Sequence, residues 1–170
     1  MQRNLAIIAG IIIALAVGAA IYFTVGQNVA PNNSGSASGV EYRNDTYGFS
    51  IALPETWRGY TVSIDTWSGY AVGDQLGETP AAQGPVVSIH NPKWTAAHPH
   101  QDIPIMVFTP DQWNQILQEK LSVGAAPIPP SELGRNAKYV FALPARYNYA
   151  FPPGWEEVEQ ILQGKPFKAF

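Results

Sequence analysis

The chain has 170 residues, 46% of them hydrophobic, with a formal net charge of −3 and no cysteine. The lack of cysteine excludes a disulfide framework, a thiolate metal site and acylation on a lipoprotein-type cysteine. A mildly acidic balance without any basic block gives nucleic acid and anionic lipid headgroups little to hold, so neither is expected as a partner.

Residues Leu5 to Val25 contain no charged side chain. At about 1.5 Å per residue such a run crosses the roughly 30 Å hydrocarbon layer as a helix. It is longer than the apolar core of a cleaved signal peptide, and the small residues Gly18, Ala19 and Ala20 lead into Ile21, Tyr22 and Phe23 rather than polar mature sequence, so an uncleaved anchor is expected. Arg3 is the only Lys or Arg before it and the next is Arg43. That asymmetry predicts residues 1–4 in the cytoplasm, a single transmembrane helix over 5–25 and everything after it outside the cytoplasmic membrane. Residues 26–40, rich in Asn, Ser, Gly and Ala, are expected to form a flexible linker. The stretch 41–170 suffices for one hydrophobic core and is read as one extracytoplasmic domain.

That domain begins with a turn-rich entry at Tyr42–Gly48. Phe49, Ile51 and Leu53 then alternate with Ser50 and Ala52 between Gly48 and Pro54, which predicts a strand. Tyr60, Val62 and Ile64 alternate with Thr61, Ser63 and Asp65, predicting a second strand with one wet face, paired antiparallel with the first. Gly73–Gly84 reads as a loop, Val86–Ile89 as a short strand, Asn91–Pro104 as another loop and Ile105–Phe108 as a central strand. Thr109-Pro110-Asp111-Gln112 has the capping-box pattern of a helix start. Trp113, Ile116, Leu117 and Leu121 follow at helical spacing with Gly124 as the stop, predicting about three turns packed on the sheet. Tyr139, Phe141 and Leu143 alternate as a strand. Pro152-Pro153-Gly154 introduces a last helix, with Trp155, Val158, Ile161 and Leu162 on one face and Glu156, Glu157 and Glu159 near its positive end. The expected core is Phe49, Ile51, Leu53, Trp57, Val107, Trp113, Leu117, Phe141, Trp155 and Ile161.

Tyr42, Gly48-Phe49-Ser50-Ile51 and Leu53-Pro54-x-x-Trp57 together resemble the start of Mog1/PsbP-like domains. The resemblance covers about the first twenty residues of the domain in motif and the rest in element order. It implies an α+β fold, an antiparallel β-sheet flanked by helices in a Mog1/PsbP-like sandwich. PsbP-like proteins serve as photosystem accessory factors and Mog1-like ones bind a small GTPase, but no partner-binding residue of either matches here. The tract Glu132 to Tyr147 is similar to tracts of membrane-anchored bacterial proteins, a kinship that implies no activity.

Motifs with chemical content are few. His90, His98, His100 and Asp102 have the side chains of borderline metal ligands, but the surrounding prolines give no preset geometry and solvated loop histidines are the expected reading. Leu53-Pro54-Glu55-Thr56 imitates a sorting motif, yet Trp57 stands where Gly is needed. No Gly-x-Ser-x-Gly elbow exists, and nothing in the sequence separation of Asp102, Asp111, Glu132 and Glu156 pairs them as a glycosidase acid and base. No catalytic residue, metal ligand or cofactor is therefore assigned. The one cationic and aromatic cluster, Arg135, Lys138, Arg146, Tyr147 and Tyr149, is the candidate partner-binding surface, since guanidinium forks and aromatic faces carry binding energy at interfaces. The expectation is an anchored extracytoplasmic binding or assembly-accessory module whose partner is an envelope protein or glycan. The alternative is an anchored hydrolase acting on envelope polymers.

Overall fold

The computed structural model describes residues 39–73, 79–124 and 128–170. The expected membrane helix and most of the linker lie outside the described residues. Among those described, no helix is long and apolar enough to cross a membrane. The elements in chain order are β1 (Gly39–Asn44), β2 (Phe49–Pro54), β3 (Thr61–Ala71), β4 (Ala82–His90), β5 (Ile103–Phe108), α1 (Pro110–Leu117), β6 (Leu121–Ser122), β7 (Ser131–Arg135), β8 (Val140–Leu143), α2 (Trp155–Gln163) and β9 (Phe167–Ala169). The strands form two antiparallel sheets, ordered β1-β2-β9 and β6-β3-β4-β5-β8-β7, and the domain is α+β.

The small sheet and α2 cover one face of the large sheet. Between them lie Phe49, Ile51, Leu53 and Trp57 from the first layer, Val158 from α2, and Val87, Ile89, Ile103, Ile105, Val107, Phe141 and Leu143 from the large sheet. On the opposite face α1 and β6 bury Trp67, Met106, Phe108, Trp113, Ile116, Leu121, Val140 and Ala142. A sheet covered on both faces has no wet side at its centre, so all four residues of β8 are buried, where alternation alone predicted only every second one.

The expected pairing of the first two strands does not occur. β2 pairs with β1 and β9, whereas β3 pairs with β4 and β6. A 3-10 turn over Glu55–Trp57 and the left-handed Gly59 (φ +88°) redirect the chain, and the fully buried Trp57 fixes that corner. β3 keeps part of its expected pattern: Tyr60 and Val62 pack on the main core, but Ile64 is 55% exposed, and Ser63, Trp67 and Gly69 on the other face are buried. Trp67 meets the second core, whereas Thr61 and Asp65 on the same face are exposed.

The capping box of α1 forms as expected, Thr109 accepting from the Gln112 N–H and Gln112 Oε1 accepting from the Thr109 N–H. The helix nevertheless stops after eight residues. Glu119 takes a left-handed conformation (φ 56°), its N–H donates to the Ile116 carbonyl, and the Lys120 N–H donates to the Gln115 carbonyl at 2.8 Å. These two bonds are a Schellman stop, built on Glu rather than the usual Gly. Leu121 consequently leaves the helix for β6, and Leu117, expected in the core, is 60% exposed. In α2 only Val158 is fully buried; Trp155 and Ile161, also expected in the core, are half-buried at its margin.

Candidate functional site

The cationic and aromatic cluster is divided by the fold. Arg135 ends β7 and Lys138 lies in the turn before β8, whereas Arg146, Tyr147 and Tyr149 follow β8 at its other end. Arg135 is held by Glu132 through Nε–Oε1 and Nη2–Oε2 bonds of 2.8 and 2.5 Å. Those bonds keep the Glu132 carboxyl below its usual pKa and raise that of the guanidinium. Lys138 contributes its backbone N–H to Asn136 Oδ1. Arg146, left-handed at φ 55°, sets its guanidinium 5.3 Å from the ring centre of Tyr149, itself 69% exposed. Tyr147 is half-buried against the main core. Burial raises its phenol pKa, with the charge of Glu159 acting in the same direction. Only Arg146 and Tyr149 thus form a compact exposed pair.

The opposite margin of the large sheet is more open. β6 covers β3 only at Tyr70 and Ala71, and among the described residues no strand pairs with the outer edge of Thr61–Gly69. At the Ala71 end lies a groove of about 700 Å³ whose walls include Val72, Leu117, Leu121, Ile128, Pro129 and Pro144.

A third arrangement is formed by residues far apart in the sequence. Ser63 Oγ lies 2.8 Å from His90 Nε2, and His90 Nδ1 lies 2.9 Å from Asp102 Oδ1. The first contact has hydrogen-bond alignment. The second falls off the line of the ring N–H, and neither of its atoms has another protein partner. Sheet register produces the set: Thr61 is opposite His90, Ser63 is opposite Ser88, Ser88 is opposite Pro104, and Ile89 is opposite Ile103, which brings Asp102 alongside His90. Ser63 and His90 are 7% and 6% exposed, and Trp94 lies over the imidazole with ring centres 4.6 Å apart. His90 is therefore not the solvated loop histidine that was expected. The shared parity of Ser63, Ser88 and His90 was visible in the sequence; the strand pairing that converts parity into contact was not.

His98 is exposed, and His100 Nδ1 meets only the His98 carbonyl, at 3.4 Å. Among the described residues no three His, Asp or Glu side chains converge as metal ligands. No family model, curated protein or solved structure matches the chain.

Proposed function

We propose that this protein is a membrane-anchored, extracytoplasmic binding or assembly-accessory module that captures an extended segment of a neighbouring envelope protein. The observation that carries this reading is the uncovered edge of β3 over Thr61–Gly69 with Ile64 projecting beside it. An edge of this kind offers main-chain donors and acceptors to an added strand, and alternate side chains supply selectivity. Asp65 and Thr66, both exposed, discourage self-association along the same edge. The apolar run 5–25 supports a single-pass anchor with the N-terminus inside. A linker of about fourteen residues then has a reach of roughly 20 Å, which keeps the domain beside the bilayer. The α+β architecture and the Gly48–Trp57 motif support a Mog1/PsbP-like sandwich, a group that includes accessory and partner-binding domains.

A photo-crosslinking residue placed at Ile64 or at Tyr149 of the full-length protein in membranes tests this. Crosslinking to one protein from Ile64 and not from Tyr149 is expected. The reverse pattern would transfer binding to the Arg146–Tyr149 turn, and no adduct at either position would reject the module reading. The hydrolase alternative draws on a separate observation, the proximity of Ser63, His90 and Asp102.

A further inference from the structure

We propose that Ser63 is a nucleophile for acyl transfer from small esters, with His90 as its general base and Asp102 as the residue that positions His90. The hydroxyl meets one ring nitrogen in a 2.8 Å hydrogen bond, and the Asp102 carboxylate lies 2.9 Å from the other, off its N–H line, so a small turn of the imidazole is what completes the order such chemistry needs. The three groups come from β3, the end of β4 and the residue before β5, so the rigid sheet rather than a loop sets their spacing. This inference is independent of the β3 edge as a docking surface.

Access comes from the α1 face. Next to the row holding Thr61 and His90, the sheet presents Ser63, Ser88 and Pro104, all short side chains. Ser88 and Pro104 are half-buried, Thr61 and Asp65 are exposed, and α1 with Trp67 lies further along the same face. Ser63 itself is only 7% exposed beneath these short neighbours, so the substrate assigned is a compact ester. Ser88, the register partner of Ser63, is the hydroxyl assigned to donate to the developing oxyanion.

In the first step Ser63 Oγ bonds to the ester carbonyl carbon as its proton passes to His90 Nε2. The carbon–alkoxide bond then breaks and the leaving oxygen takes that proton. Water attacks the acyl-serine, giving a proton to His90, and the carboxylic acid departs as Ser63 recovers its hydrogen. No oxidant, reductant or metal is required.

The test treats the full-length protein with a fluorophosphonate probe and measures p-nitrophenyl acetate hydrolysis, with circular dichroism confirming the fold of each variant. Labelling that maps to Ser63 and vanishes in Ser63→Ala is expected, as is a loss of roughly 100-fold or more in turnover for His90→Gln. Asp102→Asn should lower kcat with KM unchanged, a split that loss of mere packing does not produce. Ser63→Cys with iodoacetamide reports access to the position. No labelling of the parent while that cysteine alkylates would overturn the proposal, because the site would be reachable and the hydroxyl inert. Failure of both reagents, or labelling that survives Ser63→Ala, would overturn it as well.

Discussion

Trp67 lies flat across Gly84, its register partner on β4, so closely that a Cβ on Gly84 would come within 2.6 Å of the indole Nε1. The same Nε1–H donates to the Val107 carbonyl at 3.0 Å. The β4–β5 ladder ends at Val86 opposite Met106, and the next residue, Pro85, has no N–H to offer. The indole reaches over the glycine to a carbonyl just beyond the ladder. Gly84→Ala should displace the ring, costing about 1–3 kcal/mol for overpacking and about 1 kcal/mol more for the lost hydrogen bond. Denaturant unfolding measures the loss, and a red-shifted tryptophan emission would accompany it.

Glu119 offers the opposite experiment. As the left-handed residue of the α1 stop it sits where glycine has no Cβ penalty. Glu119→Gly is expected to stabilise the domain by about 0.5–1 kcal/mol, whereas a β-branched residue there should destabilise it. A lower melting temperature for Glu119→Gly would mean that its side chain has a role the stop geometry does not reveal.

The start of α1 was legible because a capping box is local chemistry; its end was not, because Glu119 lacks the glycine signature of a stop. Phe49, Ile51 and Leu53 were assigned to the core from their period alone. Their strand partners were misassigned, since no local pattern distinguishes the nearby Tyr60–Ile64 run from the distant Phe167–Ala169. The same limit hid the contacts of Ser63 with His90 and of His90 with Asp102, which depend on register among three strands. It also made Arg135 and Arg146 look like one cluster, although β8 holds them at its opposite ends.

Trp113 and Leu117 share a helix but not a fate. Trp113→Ala, with the indole 3% exposed in the second core, should cost about 3–5 kcal/mol, most of a small domain's margin. Leu117→Ala should cost less than about 1 kcal/mol, since the side chain is mainly in solvent. Equal melting temperatures for the two variants would show that the helix face is wrongly assigned.

Alkaline sensitivity is expected from Tyr42 and Tyr60. Burial raises both phenol pKa values; the Asn44 side-chain bond opposes the shift at Tyr42, and Glu41 adds to it at Tyr60. The fold therefore favours the protonated phenols. Their contribution is complete below the unfolded value of about 10 and is lost as pH rises through the higher folded values. Replacing both with Phe should flatten the alkaline limb of a stability–pH curve while leaving neutral pH less affected. An unchanged limb would assign alkaline unfolding to other groups.

The Arg146–Tyr149 turn separates charge from packing. Arg146→Ala should change stability by less than about 0.5 kcal/mol. Tyr147→Ala should cost clearly more, because that ring packs on the main core. Thermal melts of the two single variants distinguish these contributions. A double replacement would confound binding with folding.

The pairing of β2 with β9 joins segments from nearly opposite ends of the domain, and Asn136 Nδ2 ties both to the β7–β8 turn by donating to the carbonyls of Tyr47, Gly48 and Phe170. Loop-closure entropy must be met before those contacts form, so the small sheet belongs to the late, slow part of folding. On a chain emerging from the ribosome, the β1–β2 hairpin is made long before its third strand. Phe49 and Ile51 must meanwhile wait without their final neighbours, which leaves β2 an exposed apolar edge until the last residues are made.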